Sequence, residues 1–496
     1  MNMKYLIGID IGTSGTKSVL FDVEGNVIAS ALEEYPLYQP ENGWAEQNPE
    51  DWWQAVCKTL KVITASAEGE ICGVGLSGQM HGLVMLDEDG EVIRNSIIWC
   101  DGRTAKECEE IENLVGHDKL IEITANPALP GFTASKIMWV KKHEPENYKK
   151  CKHILLPKDY IRFKLTGEFA TEVSDASGMQ LLDIKNRCWS EEILKILDID
   201  SSLLAKVYES PDVTGRITND ISALTGLPEG IPVAGGAGDN AAAAIGTGVC
   251  CDGKAFTTIG TSGVVFAHTD KPIIDKEGRV HTFCCAVPGA WHVMGVTQSA
   301  GLSVNWFKNN IANEFSYKEI DERCEELPIG SDKLMYLPYL MGERTPILDS
   351  SARGVFFGLS ARHTKMNMAR AVMEGVSYSL MSCMDVLKEM NISVSDMALC
   401  GGGAKSNFWK KMMADVYGIS LKIMKSEEGP ALGAAILAGC AAGIYGSVAE
   451  GCEKAVKIKE KVTENQDNHN RYLEFYEIYK GLYPGLKDSF KALENL

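Results

Sequence analysis

The sequence predicts an α/β protein of two large domains separated by a cleft, and three observations predict it. At 496 residues the chain exceeds the roughly 250–300 residues that a single hydrophobic core serves, so it should divide. Strand-like runs alternate with helical stretches as far as about residue 240. The pentapeptide Ile11-Gly12-Thr13-Ser14-Gly15 returns as Ile259-Gly260-Thr261-Ser262-Gly263, each time between β-type segments. A repeat near the start of each half reads as two distantly similar domains facing one another. The boundary is placed near residue 245, giving halves 1–245 and 246–496.

The elements follow in order. Lys4 to Asp10 is an apolar run that ends on an acid, and Lys17 to Asp22 and Val27 to Leu32 continue the β character across the turn Glu24-Gly25-Asn26. Asn48-Pro49-Glu50-Asp51 starts a helix: Asn48 caps, Pro49 suits the first helical position, and the two acids suit the positive end of the dipole. Trp52, Trp53 and Val56 form its buried side. Ile71 to Leu76 and Leu83 to Leu86 read as strands around the glycine-bounded loop Ser77 to Gly82. Residues 105 to 225 are more helical and polar, with Thr133 to Lys142 and Ser190 to Leu197 as helices, and suit an insertion on the first sheet. Ala431 to Gly446, mostly Ala and Gly, is too short for a span of ~20 strongly apolar residues and reads as a close-packed internal helix. Tyr472, Phe475, Tyr476, Tyr479 and Leu482 mark an amphipathic terminal helix.

Composition narrows the function. A net charge of -18 repels polyphosphate, which argues against nucleic acid or an anionic membrane as partner. A small anion is still acceptable where backbone N–H groups or a metal ion offset that field. Fifteen cysteines lack a Cys-x-x-Cys pair and zinc-finger spacing, and read as reduced thiols. Residues 1–7 lack the basic region and long apolar stretch of a signal peptide, so a cytoplasmic location is expected.

Four constellations carry the candidate chemistry. Gly12 to Ser18 fails the Walker pattern in spacing, and fails the Rossmann pattern because Ser18-Val19-Leu20-Phe21 continues as strand rather than helix. What remains is a hairpin whose N–H groups and hydroxyls face phosphate oxygens, or a plain glycine hairpin; the second copy at Gly260-Thr261-Ser262 favours phosphate. Asp10, at a strand end beside the first turn, suits magnesium carried by ATP, the alternative being bonds to the turn's own N–H groups. Ile231 to Gly238 runs through glycines to Asp239-Asn240 and a small-residue helix from Ala241. From the residues alone this pair is first a helix cap, and second a carboxylate base with an amide that orients the same substrate. Cys400-Gly401-Gly402-Gly403-Ala404-Lys405-Ser406-Asn407 follows an apolar run and precedes a helix with Phe408, Trp409 and Met412. Three successive glycines let a flat ring lie on the backbone, whereas a tight turn needs one or two.

These residues resemble the FGGY carbohydrate kinases, which have the actin-like (ribonuclease H-like) ATPase fold. The resemblance runs from Tyr5 to about Gly446 and is carried further by Gly131-Phe132-Thr133-Ala134-Ser135-Lys136-Ile137-Met138-Trp139-Val140, and by Gly354 to Leu359 leading to Ala369-Arg370-Ala371-Val372-Met373-Glu374. It implies a sugar-binding N-terminal and a nucleotide-binding C-terminal domain. Asp10, Gly12, Thr13 and Lys17, with neighbouring Ser14, match the first phosphate motif; Gly260, Thr261 and Ser262 the second; and Gly402, Gly403, Ala404 and Asn407 the adenosine motif. Asp239 matches the catalytic base and is a second candidate for Mg2+ beside Asp10, which would hold the ion through water. Gln79-Met80-His81-Gly82 is similar to the substrate loop of the branch acting on D-xylulose, which Leu156-Pro157-Lys158-Asp159-Tyr160 and Gly342-Glu343-Arg344-Thr345-Pro346 also suit. By the same resemblance Trp99, Asp101, Arg103 and Asn240 are expected sugar contacts, although Cys100 stands where many members of that branch carry Asn. The implied reaction is ATP-dependent phosphorylation of D-xylulose to D-xylulose 5-phosphate, with a homodimer as the family expectation. Ribulose, gluconate, fuculose and glycerol are the alternative acceptors. A non-enzymatic actin-like ATPase is the competing class.

Overall fold

The computed structural model describes residues 3–494. Its first sheet has the strand order Val213–Arg216, Pro232–Ala234, Glu70–Gly78, Lys4–Ile11, Gly15–Asp22, Val27–Glu34. The last three form the antiparallel meander expected from the sequence, and Glu70–Gly78 lies parallel to Lys4–Ile11. The second sheet runs His281–Cys284, Trp291–Thr297, Gly263–Thr269, Lys254–Ile259, Asp396–Gly401, Leu421–Met424, Ile458–Val462. Here too the strand before the glycine turn pairs antiparallel with the strand after it and parallel with a later one, Asp396–Gly401. The pentapeptide repeat thus marks a repeated topology, the same hairpin with the same parallel neighbour in each half.

Local signals account for many elements. Asn48 caps the helix Pro49–Thr64, its side chain accepting from the Glu50 N–H at 3.1 Å, and Trp52, Trp53 and Val56 are buried beneath the first sheet. The helices expected in the insertion are Thr133–His143 and Glu191–Ile196, the latter capped by Ser190. The terminal helix Gln466–Glu494 buries Tyr472, Phe475, Tyr476, Tyr479 and Leu482. Among the described residues no helix is long and apolar enough to cross a membrane. All fifteen cysteines are free thiols.

The small-residue segment becomes the helix Gly429–Ala441, and its position is the chief long-range feature of the fold. Although it follows the strands of the second sheet, it packs on the first sheet and on the helix Asp239–Gly246. Backbones nearly touch there. A Cβ on Gly8 would lie 1.8 Å from the Ala431 carbonyl oxygen, one on Gly75 1.9 Å from that of Ala434, and one on Gly433 1.8 Å from that of Ala242. Glycine is required because at these distances no side chain fits.

Candidate active site

Three chain segments end side by side at the carboxyl edge of the first sheet. Asp10 pairs with Ser77 on the central parallel strand, and on that strand's other side Ala237 pairs with Ser77 and Gly238 with Gly78. Asp10, Gln79 and Asp239 are thereby brought to one edge by register alone. The chain reaches Asp239 through Gly236, whose φ of 71° and close approach to Leu76, with a Cβ position 2.1 Å from the Leu76 oxygen, exclude any side chain.

The Asp239 side chain does not cap its helix. Gly238 occupies the N-cap position and Asp239 is the first helical residue, its carboxylate accepting from the N–H of Asn240 at 2.6 Å and from the Asn240 side-chain amide at 2.9 Å. Burial and the nearby Asp10 carboxylate raise its pKa to about 6. Asp10 is also raised, by burial and by Glu428, while a hydrogen bond donated by Ser77 at 2.9 Å and the Lys17 charge oppose the shift. Two buried carboxylates whose pKa values are both raised make a site suited to a cation or a proton.

Both glycine turns are hairpins. The Gly12 N–H donates to Gly15 O at 3.1 Å and the Gly260 N–H to Ser262 O at 3.0 Å. Ser14, Gly260 and Thr261 are exposed. Lys17 pairs with Glu428, the residue preceding the helix Gly429–Ala441, and so links the first hairpin to it. The second turn is held by the start of the helix Gly301–Asn310: the Gly301 N–H donates to Gly260 O at 2.8 Å and the Leu302 N–H to Thr261 O at 3.1 Å. A cavity of about 830 Å³ opens beside it, lined by Gly260, Thr261, Gly301, Asn305, Asp321, Gly402, Gly403 and Asn407 among others. Ala404 faces a second cavity of about 730 Å³ that reaches Asp239 and Asn240.

In the loop that follows the central parallel strand, Met80 lies against Gly238. His81 takes the left-handed φ of 70° and sets its Nδ1 2.9 Å from Gly178 O. Burial and the Lys136 charge hold its pKa well below the usual range, so the ring is neutral, with Nδ1–H donating and Nε2 left as an acceptor. Gln79 donates to the Gln47 side chain at 2.8 Å, and Gln47 in turn donates to Thr13 O at 2.7 Å. Trp99 is exposed and donates to the Thr13 hydroxyl at 2.8 Å, which ties it to the first turn. Asp101 and Arg103 have no solvent-facing side chain: the guanidinium bonds Asp101 at 2.7 and 2.9 Å and Glu46 at 2.8 Å, and lies over the Trp44 ring at 3.7 Å, while Asp101 also accepts the Ala45 N–H at 2.6 Å. In this conformation the two side chains are buried against one another and against Glu46.

Several residues that the sequence reading did not single out belong to this site. Gln47 joins the first turn to Gln79, and nothing in its local sequence signals that. Lys136 is fully buried, donating to His81 O at 2.8 Å and Gly131 O at 2.6 Å, and burial pulls its pKa down to about 7. Gly301, Asn305 and Asp321 line the large cavity; the small-residue run Ser299-Ala300-Gly301 after a strand was the available clue.

Comparison with known proteins agrees with this fold. The N-terminal domain model of the FGGY family of carbohydrate kinases matches residues 5–246, and the C-terminal domain model matches residues 255–442. The chain is 40% identical to the xylulose kinase of Bacillus subtilis (strain 168), covering 99% of each. It superposes on the crystal structure of ligand-bound xylulose kinase from Lactobacillus acidophilus with a TM-score of 0.94 at 29% identity, covering 99% of this chain and 100% of the other. A gluconate kinase structure from the same organism gives the same values. Matched through both halves and over almost its whole length, the chain belongs to the FGGY family of carbohydrate kinases.

Proposed function

We propose that this protein transfers the γ-phosphoryl group of ATP to D-xylulose, forming D-xylulose 5-phosphate and ADP in the cytoplasm. The observation that carries the reading is the placement of Asp10 and Asp239 at one sheet edge on either side of the strand Glu70–Gly78, Asp239 lining a cavity that the Gly401–Gly402 segment also walls, beside the cavity at the second glycine turn. The choice of sugar rests on the identity to the Bacillus subtilis xylulose kinase and on the Gln79-Met80-His81 loop.

In this reading adenosine lies over Gly402 and Gly403 beside Ala404 and Asn407, and the phosphates lie between Gly12-Thr13-Ser14 and Gly260-Thr261-Ser262, with Lys17 at the edge. Met80, the Nε2 of His81 and Asn240 face the sugar, with Gln79 and Trp99 fixing the first turn beside it. The terminal hydroxyl oxygen attacks the γ-phosphorus as the bond to the bridging β,γ oxygen breaks, ADP leaves with that electron pair, and the hydroxyl proton passes to Asp239. Because such transition states are loose, alignment and charge neutralisation are the protein's main contribution and a carboxylate base is adequate. Asp10 fits Mg2+: its one hydrogen bond among the described residues is from Ser77, and burial beside Glu428 makes its charge costly without a cation. Bound there with ATP, the ion would neutralise charge on the phosphates.

The gluconate kinase structure supports a second reading, since it superposes as well as the xylulose kinase and the fold therefore does not choose the acceptor. An ADP-coupled assay over ketopentoses, polyols and aldonates tests both. D-Xylulose is expected to give the highest kcat/KM; a higher value for gluconate, ribulose, fuculose or glycerol moves the assignment to that acceptor. ADP release that no sugar stimulates overturns the kinase reading.

A further inference from the structure

Behind Asp239 lies a cluster of ionisable side chains with no exposure at all. Lys158 Nζ stands 2.8 Å from Asp159, 3.3 Å from Glu172 and 3.1 Å from Asp175, and Arg162 stands 2.8 Å from Asp159. Dehydrating five ionisable groups costs several kcal/mol each, and well-packed apolar residues of similar volume commonly serve stability as well or better. Stability alone is therefore a poor reason for the cluster. What its members touch supplies a better one.

The cluster grips the loop that delivers Asp239 at both ends. Arg162 donates to the carbonyl of Gly235, where the loop begins. Glu172 accepts the Ser174 hydroxyl at 2.9 Å, and that same Ser174 oxygen accepts the Gly238 N–H at 3.1 Å, one residue before Asp239. Glu172 is itself fixed by the N–H groups of Ser174 and Asp175 at 2.8 and 2.9 Å. The path from Lys158 through Glu172 and Ser174 to Gly238 thus consists of direct contacts, each closed to water. The intervening loop is glycine-rich, with Gly236 in a left-handed conformation, and has few side chains of its own to hold it.

We propose that this buried charge cluster is a positioning device for Asp239, and that the Ser174 hydroxyl is the contact through which it fixes the carboxylate relative to the sugar hydroxyl. The proposal rests on the reading of Asp239 as the proton acceptor. Ser174 neither touches the nucleotide cavities nor bears charge, so its loss perturbs alignment without stranding a buried ion. Displacements of about 1 Å from the reacting geometry cost on the order of a hundredfold in rate, and a partial relaxation costs less.

The test compares Ser174→Ala with Ser210→Ala and Asp239→Asn in the full chain. The Ser210 hydroxyl is equally buried and donates to the same Glu172 at 2.8 Å, but its side chain makes no bond to the Asp239 loop. Ser174→Ala is expected to lower kcat for D-xylulose about tenfold or more, with KM for ATP unchanged and a melting temperature close to that of Ser210→Ala, which keeps the wild-type kcat. Equal kcat in the two serine variants overturns the proposal, because a merely structural role affects both alike. If Ser174→Ala keeps the wild-type kcat while Asp239→Asn is inactive, positioning fails and the base survives. Wild-type turnover in Asp239→Asn removes the base assignment itself.

Discussion

Asp239→Asn is expected to lower kcat for sugar phosphorylation by about 10²–10⁴-fold, the range a positioned general base contributes, while nucleotide affinity stays at the wild-type level. The amide retains the shape of the carboxylate but has no site for the proton released as the O–P bond forms. In the wild type the pKa of about 6 in the free enzyme sets the acid limb of the kcat/KM profile: below that pH the base is protonated and kcat/KM should fall tenfold per unit. The same shift has a sign for stability. Folding holds the proton more tightly than the unfolded chain does, where a carboxyl titrates near ~3.9, so this group's contribution is fully present below about pH 4 and is lost as pH rises through 6. At pH 7 the ionised Asp239 destabilises the fold. The asparagine variant should therefore melt above the wild type at neutral pH, by on the order of 1–2 kcal/mol for a group partly open to the cleft, and the difference should vanish below pH 4. A wild-type acid limb retained in an active Asp239→Asn enzyme would exclude it as the base.

The largest expected loss of stability comes from Gly433→Ala. An added methyl would sit 1.8 Å from the Ala242 carbonyl oxygen and 2.7 Å from its carbon, both backbone atoms that no rotamer change can move. Overpacking of a tight core costs about 1–3 kcal/mol and more where backbone must shift, and here two helices must separate. The helix forced away begins at Asp239, so kcat should fall with the melting temperature. Gly481→Ala is the matched control: nothing lies within 4 Å of its Cβ position in the helix Gln466–Glu494, and replacing an interior helical glycine by alanine should stabilise by about 0.5–1 kcal/mol. A Gly433→Ala protein that melts like the wild type would show that the two helices yield freely.

What the sequence disclosed about this fold was what adjacent residues decide together. The Asn48-Pro49 start, the strand ending at Asp10, both glycine hairpins and the tyrosine-rich terminal helix are each written within a few positions, where capping geometry, turn chemistry and periodicity act. Asp239 shows the limit of that reasoning. An Asp-Asn pair before a run of alanines reads as a cap, yet Gly238 takes the cap position, its N–H donating to Ser174 far back in the chain. Asp101 and Arg103 look like polar tips in the sequence, which gives no sign of their burial against Trp44 and Glu46. Gln47 and Lys136 carry no local mark, since each acts on a backbone carbonyl contributed by a distant segment.

The helix Gly429–Ala441 has a consequence for how the chain is made. The face of the first sheet bearing Leu6, Val19 and Phe21 has its strands complete by residue 238, but the helix that covers it leaves the ribosome roughly 180 residues after Gly246. At about 5–20 residues per second, that apolar face waits on the order of 10–40 s for its cover. The early half of the polypeptide is thus unfinished until synthesis is nearly over. Nascent chains arrested before residue 429 should be cut within the first half by a protease that spares chains extended past residue 441, and equal resistance of the two would mean that some other segment shelters the sheet meanwhile.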